Sequence, residues 1–572
     1  MENYMKTNIL TGCMLAASML LTTSCSDFLN EDPKGKLTPD TYFSNQQQLD
    51  MSVYALYAKI QAYQCNSNTM ITKCQGDDVT STTGSNKAAY LSADAFETPT
   101  DTKGVEQTWS RLYTIIKAAN SIIANTEKVS TTEEEKNIAL GQAYFWRAYC
   151  YFGLVRAYGP LPLILQNIPD NNTTQLTDVE GVYRQIVADL QAAESCNLPT
   201  QYTATNRAID GSNIYVSAQA VKSALAAVYL NMAGYPLNKT EYYAKAADKA
   251  KEVITGVNNG TYKQSLLDDW NNVYSYGMNH HSETILGIDY NATAGGWSEY
   301  DSQLTSCHQL GNLQGWGDFL AERRFWAEFP DGPRKDAVYA KTERTNDGFN
   351  VDWWATTDGK AYDGSNAVIA AYRPMFVAFT VNKDEATGQA AKAAYDCTKP
   401  FWGGMCLDKR HQLIRYSEVI CWYAEAAARA GQDLTLAKSE LKKVRQRAYS
   451  DASAVSAIDA MNAEQLATAA YNEHGYEVAG YVLAMVTRRD DQFRTNTLKE
   501  AFDYRKGTQN VVLVKKGTLT HSVKDGQAFT YTLPADLVLK ENMDVTATWA
   551  GEESIYNIYP PTEYEKNPNL KR

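Results

Sequence analysis

The chain has 572 residues, 44% of them hydrophobic and 21% charged, the balance of a globular protein rather than a disordered one. At about 150 residues per domain, the length allows several units or one large helical one. A formal net charge of −12 and no evident basic patch argue against a nucleic-acid partner.

The N-terminus opens with Lys6 and an apolar run from Ile9 to Leu21. That run falls short of the roughly 20 apolar residues needed to cross a bilayer, but it has the length of a signal-peptide core. Thr22-Thr23-Ser24 lead into Cys25, a pattern similar to the lipobox at which bacterial lipoproteins are cleaved. An ordinary secretory signal is the alternative. Residues 1–24 therefore read as a lipoprotein signal peptide and 25–36 as a largely polar tether lipidated at Cys25. Several acyl chains on that cysteine would anchor firmly, where a single chain binds only marginally.

From Thr38-Pro39, a helix N-cap followed by proline at the first helical position, to about residue 257 the pattern is helical. The clearest helix follows Ser130, Thr131 and Thr132, each with a glutamate three residues on, the capping-box signature. Ala139, Ala143, Trp146, Cys150, Gly153 and Ala157 share one face, and Tyr158-Gly159-Pro160 stops it. The next helix starts at Thr177 with Glu180 in the capping position and ends before Leu198-Pro199. Two helix pairs follow. Val221, Leu225 and Val228 face Tyr243, Ala247, Ala250 and Ile254; later, Tyr416, Val419, Tyr423 and Ala427 face Ala437, Leu441, Val444 and Ala448. Each pair occupies about the 34 residues of a tetratricopeptide unit.

Residues 258–413 are rich in glycine, asparagine and aromatics, with Ile285-Leu286-Gly287-Ile288 as a short strand, and residues 510–556 contain further strands. The fold class is thus mostly α. Residues 37–572 read as a single domain, with a helical scaffold over 37–257 and 414–510, a loop-rich binding part over 258–413 and a β-containing elaboration over 510–556. Function tends to sit on long irregular segments carried by regular scaffolds.

The chemistry points to binding. Asp77-Asp78, Asp268-Asp269 and Asp490-Asp491 are adjacent pairs, whereas a glycosidase needs two carboxylates facing each other about 5 to 9.5 Å apart. No nucleophile-elbow, zincin or phosphate-loop motif is present, so neither catalysis nor a cofactor is expected. No metal is expected either, and His280-His281 reads as a solvated turn. Sugar rings offer apolar faces to aromatic side chains. About 100 Å² covered at about 25 cal/mol/Å² gives roughly 2.5 kcal/mol per platform. Two platforms therefore imply affinity near the millimolar range. Trp297, Tyr300, Trp353 and Trp354 lie in the irregular part and are the candidate platforms. Trp109 and Trp146 belong to helix cores, Trp316 could be either, and Arg147 is expected to pair with a carboxylate. Cys150, Cys196 and Cys421 read as small core residues, while Cys65 with Cys74 and Cys397 with Cys406 leave disulfides open.

A series of short motifs then carries a family resemblance. Cys25-Ser26-Asp27-Phe28-Leu29, Ala143 to Ala148, Tyr158 to Leu163, Glu283-Thr284-Ile285, Pro330 to Asp336, Arg415 to Val419 and Val444 to Ala448 follow one another in order, and Tyr559-Pro560 and Asn567 to Leu570 close the series. In that order the chain resembles the SusD/RagB family of outer-membrane glycan-binding lipoproteins. The resemblance implies a SusD-like helical domain with four tetratricopeptide-like helix pairs. It implies an oligosaccharide or polysaccharide ligand, a SusC-like TonB-dependent transporter as partner, and an outward-facing place on the outer membrane. It also implies ligand contacts in the loop from Gln75 to Pro99, with Asp77, Asp78, Asn86 and Tyr90, and makes Arg334 and Lys335 parts of a structural motif. The arginine-rich helix that relatives often carry after the Val444 to Ala448 element is not recognisable at Asn472 to Glu477. A scaffold that binds peptides or partner proteins and a surface glycosidase are the alternatives.

Overall fold

The computed structural model describes residues 43–570 except 82–86, 100, 168–173, 292–301, 309–314, 341, 345–349, 353–355, 358–359, 362–373, 394–395, 397–398, 400–401, 403–406, 508–509, 515–517, 523–527, 533–536 and 541–546. The expected cap at Thr38, the lipidation residue Cys25 and the pair Cys397 and Cys406 lie outside the described residues.

The principal helices are α1 Gln46–Cys65, α2 Ala88–Asp94, α3 Lys103–Asn125, α4 Glu133–Tyr158, α5 Val179–Ser195, α6 Ala218–Ala233, α7 Tyr242–Asn258, α8 Tyr416–Ala430, α9 Leu434–Ala448, α10 Ala463–Glu477, α11 Arg488–Arg494 and α12 Leu498–Lys506. They pack in series. α1 lies on α3, α3 on α4, α4 on α5, α5 on α6 and α6 on α7; α7 then meets α8, which also carries α9 and α10. The described strands form short two-stranded pairs, among them β1 Thr284–Ile288 with β2 His411–Arg415.

α4 forms where its capping residues predict. The Thr132 hydroxyl oxygen accepts from Glu135 N at 3.3 Å, which satisfies one of the N–H groups that a helix start leaves unpaired. The helix is buried on nearly every side, with Trp146 packed edge-on to Tyr57 at 5.6 Å and to Phe145 at 5.2 Å. Arg147 meets its expected carboxylate, Asp189, through Nε at 2.8 Å and Nη2 at 2.6 Å. α5 starts one residue later than predicted. Asp178 caps it, accepting from Gly181 N at 2.7 Å, because Thr177 is drawn into a short ladder with Leu161. The main hydrophobic core draws on residues from Phe43 to Leu570, so the first and last parts of the chain share it. A second core gathers Met70, Val79, Tyr90, Trp270, Phe319, Phe376 and Leu483 from the irregular parts. Cys65 and Cys74 are separate buried thiols, and Cys150, Cys196 and Cys421 are buried as expected.

An ion network joins the irregular middle of the chain to the late helices. Arg415 Nη1 donates to Glu283 Oε1 at 3.0 Å and Glu477 Oε2 at 2.9 Å. Arg447 Nη2 donates to the same two glutamates at 2.8 and 3.0 Å. Arg334 lies 2.8 Å from both Glu477 Oε1 and Glu473 Oε1, and Arg445 Nε donates to Glu473 Oε2 at 2.7 Å. Glu418 Oε1 stands 3.4 Å from Arg415 Nε. The four arginines thus face four glutamates; all but Arg447 are buried, and the Arg447 side chain is itself only 5% exposed. Burial alone would raise the Glu283 carboxyl, but Arg447 and Arg415 outweigh it and hold it down at about 2. Glu477 is likewise held well below the usual carboxylate range. Gly332 belongs to this arrangement. At φ +152° it lets the chain pass against α9, and a Cβ there would stand 2.3 Å from Ala448 O.

Two expectations are corrected here. The stretch Asn472 to Glu477 supplies Glu473 and Glu477 to the network, and an arginine-rich helix does follow it, as α11. His280-His281 is no solvated turn. His281 is buried and bonds Val273 O at 3.0 Å, while His280 Nε2 lies 2.7 Å from Asp289 Oδ1.

Removing one member of a buried ion cluster leaves a partner charge uncompensated, at a cost of about 3–5 kcal/mol. Glu477→Gln is therefore expected to lower the unfolding free energy by that order in urea titrations; a loss below about 1 kcal/mol would show the network to be dispensable.

Candidate functional site

The irregular segments are pinned to the scaffold by side chains that arrive from distant parts of the chain. β2 begins at His411, which is fully buried. One ring nitrogen, Nδ1, lies 3.0 Å from Tyr290 Oη and the other, Nε2, 2.6 Å from Ser302 Oγ. Tyr290 and Ser302 flank the segment 292–301, so a single imidazole ties both of its ends. Burial, with Lys409 nearby, pushes the His411 imidazole down to about 3. It is therefore neutral at physiological pH, one nitrogen donating and the other accepting.

A second cluster ties the ends of 82–86 and 309–314. Lys87 pairs with Asp318 in the interior, and the Lys87 ammonium sits 5.5 Å from the centre of the Tyr90 ring. Tyr90 Oη donates toward Asp318 Oδ2 and toward Ser67 O, each at 3.3 Å. Ser67 N in turn donates to Gln303 Oε1 at 3.2 Å. Asp318 N donates to Cys307 O, in the short helix Leu304–His308, at 2.7 Å. Three segments of the irregular part thus start or end at two neighbouring polar clusters.

The predicted acidic residues take internal partners. Asp77 receives Arg488 Nε at 2.7 Å and Nη2 at 2.9 Å. Asp78 is buried and accepts from Gly480 N at 2.7 Å. Burial, then the neighbouring Asp77 charge, pushes the Asp78 carboxyl up to about 7. Gly480 has φ +71°, and a Cβ there would meet the Phe376 ring at 2.4 Å, so only glycine brings this N–H to Asp78. Tyr90 is buried against Phe319. In this arrangement Asp77, Asp78 and Tyr90 support the 75–90 stretch from within, and the two aspartates point to different partners. Trp297, Tyr300, Trp353, Trp354 and Asn86 lie outside the described residues; the strand leading into Trp353, Asn350–Asp352, lies beside Thr518–Ser522.

On the other face of α2, Ala89 and Ala93 border a cleft of about 640 Å³ between residues 93–101 and 547–564. Phe96, Tyr556 and Tyr564 give it aromatic walls, with the carboxylates of Glu97, Asp101 and Glu553 around them. That volume falls in the range of small-ligand sites. His411, Lys87, Asp318 and Gln303 escaped the sequence reading. Each is an isolated polar residue whose partner is remote in sequence, so no spacing announces it.

A helical frame that fixes the ends of irregular segments defines a binding scaffold, and comparison with known proteins supplies the family. Residues 27–230 match the model described as starch-binding associating with outer membrane, and residues 282–572 match the SusD family model. The chain belongs to the SusD family. It is similar to SusD-like protein P2 of Formosa agariphila, 25% identical over 342 residues that make up 57% of this chain and 63% of that protein. A SusD-like protein of Bacteroides ovatus is 25% identical over 332 residues, 56% of this chain and 57% of the relative. The matches thus span about three fifths of the curated relatives' length. A SusD homolog from Bacteroides thetaiotaomicron shares the fold at a TM-score of 0.67 and 18% identity, over 93% of this chain and 97% of that one. Surface glycan-binding protein A of the same organism, in complex with laminarihexaose, does so at 0.61 and 16%, over 92% and 99%. SusD family members are non-catalytic glycan-binding proteins.

The neutral His411 ring stabilises the fold fully above about pH 6.5, the ordinary histidine value, and loses that contribution as pH falls toward about 3. His411→Phe keeps the bulk but removes both hydrogen bonds, leaving Tyr290 and Ser302 unpaired. A loss of about 1–3 kcal/mol is expected at neutral pH, shrinking on acidification. Chymotryptic cleavage after Trp297 or Tyr300 should also quicken; unchanged cleavage and stability would show that His411 pins nothing.

Proposed function

We propose that this protein captures oligosaccharide or polysaccharide at the cell surface, held to the outer membrane by lipid on Cys25, and delivers it to a SusC-like TonB-dependent transporter. The observation that carries this reading is the match of both halves of the chain to SusD family models, one of them described as starch-binding associating with outer membrane. The laminarihexaose complex of one structural relative and the xylogluco-oligosaccharide complex of another support a glycan as ligand. Trp297 and Tyr300, between Tyr290 and Ser302 in the chain, and Trp353 and Trp354, after Asn350–Asp352, are the aromatic platforms of this reading. Asp77, whose carboxylate stays partly exposed beside Arg488, is a further ligand contact of this reading, and the buried Asp78 and Tyr90 stand behind it. Platforms of this kind give weak binding, near the millimolar range for two rings, which suits a protein that must release its ligand.

The test is a glycan array with protein lacking residues 1–25, followed by calorimetry on the best ligand. Binding without release of reducing ends is expected, and Trp297→Ala, Trp353→Ala and Trp354→Ala together should abolish it with the melting temperature unchanged. Retained affinity would move the site to the cleft of Phe96, Tyr556 and Tyr564. Peptide binding with no glycan bound would favour the scaffold alternative.

A further inference from the structure

Between α1, α3, α4 and α11, beside Thr72 and Lys73, lies a small chamber of about 20 Å³. It has room for one water-sized guest. Lys73, Arg156, Arg489 and Asp490 line it, together with the hydroxyl-bearing side chains of Tyr63 and Thr72. Three cations therefore surround one carboxylate, and two positive charges remain in excess.

That carboxylate is already shared. Asp490 Oδ2 accepts from Thr487 N and from Thr487 Oγ1, both at 3.0 Å, as the cap of α11. Arg156 Nη1 is buried 2.8 Å from the same oxygen but makes no hydrogen bond. The rest of the Arg156 guanidinium is engaged, Nε with Phe152 O and Nη2 with Met485 O, both at 2.9 Å. Arg489 Nη1 stands 3.7 Å from Asp490 Oδ1 and donates to Arg156 O, while Nη2 donates to Ile555 O and Gln75 Oε1. Lys73 makes no hydrogen bond or ion pair with any described residue. Burial, opposed by Asp490 and reinforced by Arg156 and Arg489, pushes its amine down to about 8. Arg156 and Arg489 are buried and Lys73 half-buried, and excess charge beside buried guanidinium groups is unfavourable unless something of opposite sign shares the site.

We propose that this chamber binds one small monovalent anion, of chloride's size and chemistry, between Lys73 and the undirected Nη1 of Arg156. The volume excludes a carboxylate or phosphate ligand. The position gives the ion a structural consequence. Lys73 stands two residues before Gln75, which bonds Arg489, and four before Asp77, which pairs with Arg488. The anion would thus fasten the root of the stretch that carries Asp77 and Asp78.

The experiment is thermal unfolding of the full chain in non-ionic detergent at pH 7, with sodium gluconate replaced stepwise by sodium chloride at fixed ionic strength. The midpoint is expected to rise along a saturating single-site curve, and bromide should give an anomalous-scattering peak in the chamber beside Lys73 Nζ. Lys73→Met removes one excess charge, so its apparent chloride affinity should fall at least tenfold while its midpoint in gluconate holds or rises. Equal midpoints in the two salts, a linear dependence without saturation, or a Lys73→Met curve like the wild type would each overturn the proposal. If the variant does not fold, absence of bromide from the chamber of the wild type does the same.

Discussion

The buried cluster of Arg334, Arg415, Arg445 and Arg447 with Glu283, Glu418, Glu473 and Glu477 is the constraint on which the rest of the molecule rests. Each charge is out of water, and each is tolerable only while its partners hold position. The partners come from five places in the chain: the turn after Gly332, the start of β1, the junction of β2 with α8, the end of α9 and the end of α10. Satisfying the cluster therefore sets how the late helices sit against the irregular middle. Hydrophobic burial supplies most of the stabilisation but is indifferent to direction; the network supplies register.

β2 carries that register to the residues that flank 292–301. Its last residue, Arg415, sits in the network and its first, His411, holds both ends of the segment with Trp297 and Tyr300. The strand is five residues long, fully buried and paired with β1. α11 does the same from the other side. Arg488 takes Asp77, Arg489 takes Gln75, and Asp491 meets His474 on α10 at 2.5 Å. The scaffold thus acts on the irregular segments through a few polar links.

Local signals were legible where the physics is local. Capping residues and a four-and-three apolar spacing located α4, and small residues on shared faces located the pairs α6 with α7 and α8 with α9. The one-residue error at α5 arose because a strand contact, remote in sequence, competed for Thr177. Asp77, Asp78 and Tyr90 were found as a notable stretch, but composition could not tell a carboxylate that faces a sugar from one that faces Arg488 or Gly480 N–H. The adjacent His280 and His281 looked solvated because nothing nearby in sequence explains them; Val273, Asp289 and the fold do.

By itself the sequence determined the helical class, the order of the helices, the expected export signal and, through motifs in order along the chain, the family. Those rest on short-range periodicity, capping and residue identity. Only the tertiary structure decided which charges pair, that the stretch after Asn472 supplies two of the network's glutamates, and that His411 and Asp318 fasten the segments around the site. Such pairings join residues up to several hundred positions apart, and burial makes each strong only once the whole fold has removed the water around it.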